Sequence, residues 1–272
     1  MQVGLTIGDF DGKKAGELLA LVRRVGVSFV ELNPTVFNDL EAVIANMNGM
    51  AAGFHLPLVG EHGFDFSSLE AKERIDDTIA LLNRHRHDLN LLYCVAHPPE
   101  ADPAAENADE ALEFLYDNLQ RLEIPVILEN VEAWNHKDFD RLVDMSRKVL
   151  KKKLIGLCFD PAHAFLRGED IFARFSAIAQ QVVCIHLSDC SRGHDAHLPL
   201  GRGELPIAKF LAHVNKHHFD GVINLEVVPK SMNDTLAVLD SYLQVLRVFR
   251  KGKFLATRMK LLLGRTQLAT AH

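Results

Sequence analysis

No stretch of about 18 apolar residues occurs anywhere in this 272-residue sequence, so no membrane-spanning helix is expected. Cysteine is scarce. Cys94, Cys158, Cys184 and Cys190 follow neither zinc-ribbon nor redox spacing, and the first three lie inside apolar runs, so they read as buried free thiols. No basic-then-apolar leader precedes the strand-like Gln2–Gly8, and with the free thiols this makes the cytoplasm the expected location. A glycine-rich phosphate turn is missing too. Gly4, Gly8, Gly12 and Gly16 do not form G-x-G-x-x-G after the first strand, which argues against a doubly wound dinucleotide fold. Acidic residues are absent after Asp240, whereas Arg247, Arg250, Lys251, Lys253, Arg258, Lys260 and Arg265 follow it. Without those seven, 23 basic residues face 36 acidic ones, so the body of the chain lacks the basic footprint usual in nucleic-acid enzymes.

What is present is ordinary for a folded protein: 48% hydrophobic and 24% charged residues, which excludes wholesale disorder. Eight short apolar runs recur, near Gln2–Gly8, Ser28–Leu32, Met50–His55, Leu91–His97, Pro125–Glu129, Leu154–Asp160, Val182–His186 and Val222–Val227. An amphipathic stretch follows each. Leu69–His85 shows the helical rule, with Leu69, Ile75, Ile79 and Leu82 on one side. The runs are continuous rather than strictly alternating, as strands are when both faces of a parallel sheet are covered. Eight strand–helix units in one uninterrupted chain predict an α/β fold, a (β/α)8 TIM barrel over residues 1–250. A final helix is expected to pack on the barrel, and residues 251–272 are expected to follow it as a basic C-terminal extension, solvated or partner-packed.

The informative fact is positional. Six successive strands end in a metal-capable side chain: His55, His97, Glu129, Asp160, His186 and Glu226. In a parallel barrel those ends converge on one face, where catalytic groups collect. Three imidazoles and three carboxylates buried together suffer repulsion and desolvation that a divalent cation removes. An oxygen and nitrogen set without thiolate suits zinc, manganese, iron or cobalt. Further donors sit nearby: His163 on the turn after Asp160, and Asp195 and His197 as a D-x-H in the long loop after His186. Nine donors are enough for two or three ions.

These motifs resemble the xylose-isomerase-like TIM barrels, a superfamily that includes endonuclease IV and many sugar and sugar-phosphate isomerases and epimerases. The likeness runs from GFHLP to NLEVV, with DPAHAF and DAHLPLGRGEL most similar. The resemblance to endonuclease IV implies a trinuclear zinc site on His55, His97, Glu129, Asp160, His163, His186, Asp195, His197 and Glu226. The resemblance to the epimerases implies one metal on Glu129, Asp160, His186 and Glu226, with His163 and Arg192 contacting substrate oxygens.

Two chemistries follow. In the first, a divalent metal (zinc or manganese, one to three ions) serves a sugar or sugar-phosphate isomerase or epimerase, with Glu129 and Glu226 on opposite sides of the bowl exchanging a proton. Glu31, closing the second strand, would hydrogen-bond substrate hydroxyls or stand solvated in a loop. Trp134 would cover a sugar face or pack its own loop. In the second, a multi-zinc phosphodiesterase acts at abasic sites in DNA. The rim loop Leu56–Phe66, with Glu61, His62 and Asp65 but no Lys or Arg, favours the small molecule over DNA. A homodimer is the default assembly.

Overall fold

The apolar runs pair side by side, all parallel, and the last closes on the first. The computed structural model describes residues 1–99, 108–191, 193–231 and 234–269. Its barrel strands are β1 (Gln2–Ile7), β2 (Phe29–Leu32), β3 (Ala51–His55), β4 (Leu91–Ala96), β5 (Val126–Glu129), β6 (Leu154–Phe159), β7 (Val182–Leu187) and β10 (Val222–Leu225). Around the barrel they run β1-β10-β7-β6-β5-β4-β3-β2. Closure is fixed by the register Gln2↔Val222 through Leu5↔Leu225. Between β7 and β10 an antiparallel hairpin, β8 (Asp189–Ser191) and β9 (His194–Leu198), stands outside the barrel sheet.

The helices are α1 (Ala15–Val25), α2 (Leu40–Met47), α3 (Val59–His62), α4 (Lys72–His85), α5 (Ala108–Arg121), α6 (His136–Leu150), α7 (Pro161–Leu166), α8 (Ile171–Ile178), α9 (Ile207–Lys216), α10 (Thr235–Phe249) and α11 (Lys251–Ala269). Local chemistry sets several ends. Asn135, Asp160 and Asp170 cap α6, α7 and α8 by accepting from backbone N–H groups of the first turn. Gly26 ends α1 at φ 92°, a left-handed conformation that costs a glycine nothing.

Two cores result. One lies between the strands and their helices, and the other fills the barrel's interior with Phe29, Tyr93, Val95, Ile127, Cys158, Cys184 and Val222. Gly53 is required here, because a Cβ on it would stand 2.6 Å from the Tyr93 ring and 3.2 Å from Glu31 Oε2. The inward residues lie two positions before the polar strand ends: Phe29 before Glu31, Val95 before His97, Ile127 before Glu129, Cys158 before Asp160, and Cys184 before His186. The period-two alternation of a strand therefore stacks a polar layer on an apolar plug.

The tail is helical. α11 follows α10 after a break at Arg250 and packs against α10 and α1. Thr257 is buried, Phe254 joins the main core, and Lys253 Nζ donates to Ser28 Oγ at 2.7 Å. No helix among the described residues is long and apolar enough to cross a membrane.

Candidate metal centre

Glu129, at the end of β5, is the hub. Its carboxylate lies 3.1 Å from His97 Nε2, 3.4 Å from His55 Nε2, 3.6 Å from His163 Nδ1 and 3.0 Å from His186 Nδ1. Glu226, just beyond β10, approaches the same His186 Nδ1 to 3.2 Å. Among the described residues four triads of donor atoms stand close enough to grip one ion each: His55, His186 and Glu226; His55, His97 and Glu129; Glu129, Asp160 and His163; and Cys158, Cys184 and His186. Asp195 reaches His163 Nε2 at 3.0 Å, and His197 reaches Asp195 at 3.4 Å. All nine residues singled out by the sequence pattern thus meet at one mouth of the barrel.

Position differs from expectation in several respects. His163 sits within helix α7 rather than on a turn, and Asp195 and His197 lie on the β-hairpin strand β9 rather than in an open loop. His197 has φ 43°, a left-handed conformation uncommon outside glycine. Glu129 and Glu226 are three strands apart around the barrel, not opposite. Glu31 is fully buried and pairs with His186 Nε2 at 2.9 Å, so it supports that ring from behind instead of lining the cavity or standing in solvent. Trp134 donates from Nε1 to the Pro99 carbonyl at 3.2 Å and lines a separate small cavity, away from the bowl. Arg192 lies outside the described residues.

The supports behind the donors escaped the sequence reading. Asn130 donates from Nδ2 to the Asp160 carbonyl, accepts the Asp160 N–H at Oδ1, and presents its own carbonyl to His163 Nδ1 at 2.7 Å. Asn224 donates to Thr6 Oγ1 at 2.9 Å and reaches Glu31 at 3.4 Å. The only sequence signal for either was proximity: Asn130 follows Glu129, and Asn224 precedes Glu226 by one inward-facing step. Below the donors, the buried thiols of Cys158 and Cys184 lie beside His186.

Electrostatics tie the cluster together. Burial opposes ionisation of Glu129, but the neighbouring His186 and His97 imidazoles overcome it and hold its carboxyl well below the usual range. Burial likewise opposes a charged His55, yet Glu129, Glu226 and Glu31 carry it up to about 9. His97 goes the other way: burial, with His55 and His163 nearby, outweighs its bond to Glu129 and lowers it. Asp160 is pushed up to about 6 by burial, which the neighbouring His163 only partly offsets.

The donor set fits a cation on a direct observation. Asp160 Oδ2, Asp195 Oδ1 and His197 Nδ1 are buried without a hydrogen bond, and His186 Nδ1 faces two carboxylates with hydrogen-bond geometry to neither. Buried polar atoms are rarely left so, and here four of them belong to the predicted ligands. The cluster forms one end of a cavity of about 700 Å³.

Comparison with known proteins follows the same lines. A protein of Mycobacterium leprae named "Probable endonuclease 4" is 31% identical over 107 residues, covering 36% of this chain and 42% of that protein. One of the same name from Campylobacter curvus is 24% identical over 160 residues, covering 52% of this chain and 55% of that one. The chain therefore spans about half the length of the curated relatives it matches. The crystal structure of an AP endonuclease, family 2, from Brucella melitensis superposes with TM-score 0.68 at 13% identity, covering 89% of this chain and 98% of that one. A D-allulose 3-epimerase from Methylomonas sp. superposes with TM-score 0.65 at 16% identity, covering 98% and 96%. At such identities the superpositions speak for the fold alone. Residues 19–250 match the family described as Xylose isomerase-like TIM barrel, and the chain belongs to that family.

Proposed function

We propose that this protein is a divalent-metal-dependent isomerase or epimerase acting on a sugar-like carbonyl substrate in the bowl. The observation that carries this reading is the pair Glu129 and Glu226, both within 3.2 Å of one imidazole nitrogen, in a cavity whose described lining includes Glu61 and Asp9 but no Lys and a single Arg, Arg24. Such walls suit a neutral polyol better than a polyanionic duplex. His55, His97, Glu129, Asp160, His163, His186, Asp195, His197 and Glu226 would hold the metal, in one to three ions. A bound divalent ion supplies Lewis-acid stabilisation of negative charge on substrate oxygen. Glu129 and Glu226 take a proton from the carbon next to the carbonyl and return it, to the other face in epimerisation or to the neighbouring carbon in isomerisation. The Asn130 carbonyl holds the His163 ring through Nδ1, and Nε2, which faces Asp195, is the nitrogen that would turn to an ion or to substrate oxygens, with Arg192 as a second substrate contact. Four free cysteines suit a reducing cytoplasm.

One observation favours the second reading, an endonuclease-IV-like phosphodiesterase. Asp195 and His197 extend the donor set around His163 to nine, more than a single ion uses. The deciding experiment incubates the metal-loaded protein with a panel of ketoses in D2O. Deuterium at C2 or C3, abolished by a chelator, is the expected result. Chelator-sensitive nicking of an abasic-site duplex without exchange into any sugar overturns it.

A further inference from the structure

The bowl does not end at the donors. The same cavity passes over the end of β1 and continues down the outside of the barrel between α1 and α10. There Leu5 and Ile7 of β1 form the floor, Val22 and Val25 of α1 one wall, and Val238 and Leu239 of α10 the other. Leu21 and Val228, at 44% and 56% exposure, stand at its margin as two of the large apolar side chains left facing water. From Leu18 to Val25 the wall covers about 10 Å of helix at ~1.5 Å per residue.

The passage between the two parts is a fixed opening. Asp9, on the β1–α1 loop, receives the Ala15 N–H at 3.0 Å, Lys14 Nζ at 2.8 Å and Asn38 Nδ2 at 3.2 Å, while its own N–H donates to Thr35 Oγ1 at 2.7 Å. Gly8 beside it has no side chain to block the way, and a Cβ there would collide with Asn33. The cavity is therefore polar and donor-lined at one end and hydrocarbon-lined at the other, with no Lys and Arg24 as the single Arg in its described lining.

We infer that the substrate is an amphiphile: a sugar-like head that reacts at the donor cluster, joined to an alkyl or comparable apolar tail of about eight carbons that lies between α1 and α10. The inference rests on the bowl being where the polar head reacts. A sugar alone leaves the half-buried Val22, Val25, Val238 and Leu239 and the exposed Leu21 and Val228 in contact with water, whereas a tail covers them above the already buried floor, and each methylene taken from water strengthens binding about fourfold. The tail belongs to the bowl's own ligand because the two parts are one continuous space, not a surface groove apart from the site.

The test titrates the metal-loaded protein with glucose and with butyl, hexyl and octyl β-D-glucosides below their micellar concentrations. Affinity is expected to climb about fourfold per carbon. Val22→Glu or Val238→Glu should weaken octyl glucoside at least tenfold with metal content unchanged, while Met145→Glu, at an exposed apolar position on α6, changes nothing. Having two wall variants guards against one that misfolds. A series flat from butyl to octyl, or wall variants that bind octyl glucoside as the parent does, overturns the inference. Displacement of N-phenyl-1-naphthylamine by octyl glucoside from metal-free protein reads the cleft without any reaction. Deuterium exchange into free ketoses reads the reaction without the cleft, so either reading can fail while the other stands.

Discussion

His186 and Glu31 form a pair wholly excluded from solvent, with Nε2 of the imidazole 2.9 Å from Oε1 of the carboxylate. Because Glu31 occupies one ring nitrogen, only Nδ1 remains to face Glu129 and Glu226. A carboxylate behind a ligating histidine fixes its tautomer, aims its ring and raises its basicity.

Replacing Glu31 therefore acts through His186. Glu31→Gln keeps the shape and a hydrogen bond but removes the charge. It is expected to weaken metal binding about 10–100-fold, the cost usual for such outer partners. Chelator competition measures the affinity, and circular dichroism checks that the barrel is intact. Unchanged affinity in a folded Glu31→Gln protein would mean that the pair is merely structural.

Metal uptake should expel protons. In the metal-free protein, carboxylates outweigh burial and hold His55 up to about 9 and His163 well above its usual value, and Cys158 with Glu129, Glu226 and Glu31 does the same for His186, so the protonated form is favoured at all three. A ligating imidazole must be neutral, and binding therefore releases about one to three protons, with affinity rising as pH climbs toward about 9. The sign for stability follows. Groups whose folded values are raised stabilise fully below about 6.5, and that stability is lost as pH rises through the folded value. The melting temperature of metal-free protein should fall between pH 6.5 and 9, while that of loaded protein holds. Calorimetry in buffers of different ionisation enthalpy counts the protons, and zero release contradicts the charge distribution.

Asp160 has two duties that substitution can separate. Its Oδ1 accepts the Ala162 and His163 N–H groups as the cap of α7, while Oδ2 is buried with no partner and is free to bind a cation. Asn caps a helix as well as Asp does but binds metal poorly. Asp160→Asn should thus keep the metal-free melting temperature within a few degrees and lose metal. Asp160→Ala should lose metal and about 0.5–2 kcal/mol of stability as well. Equal metal content in Asp160→Asn and parent would remove Asp160 from the ligand set.

How much of this was legible in the sequence depends on the range of the interaction. The barrel strands were readable to within two residues because continuous apolar runs report local burial. Six of the nine donors were readable because each closes a strand and parallel topology brings those ends together, His163 because it follows Asp160 by three residues, and Asp195 and His197 as a D-x-H in the long segment after His186. Glu31 was readable as a strand end but not as a partner of His186, since that pairing spans the barrel from β2 to β7. The hairpin β8–β9 was hidden in a polar segment with Gly193 and a left-handed His197, where no periodicity survives. The cleft between α1 and α10 left no sequence signal, because its walls are ordinary apolar helix faces that happen to line one cavity.

The C-terminal helix gives the last prediction, because its packing lies away from the metal cluster. Truncation after Lys253 removes Phe254, which packs on the core, and the buried Thr257, but leaves Lys253 and its bond to Ser28. Losing one large apolar contact of this kind costs roughly 1–3 kcal/mol. A chain of this size loses about 2–4 °C in melting temperature for each kcal/mol. The truncated protein should therefore melt several degrees lower and retain the metal content of the full chain, because every predicted ligand lies between His55 and Glu226. Elemental analysis and a thermal melt on the same preparation give both numbers. Metal lost on truncation would tie α11 to the mouth of the barrel through α10 and the β10–α10 loop. An unchanged melting temperature would mean that Phe254 and Thr257 contribute nothing to the core they touch.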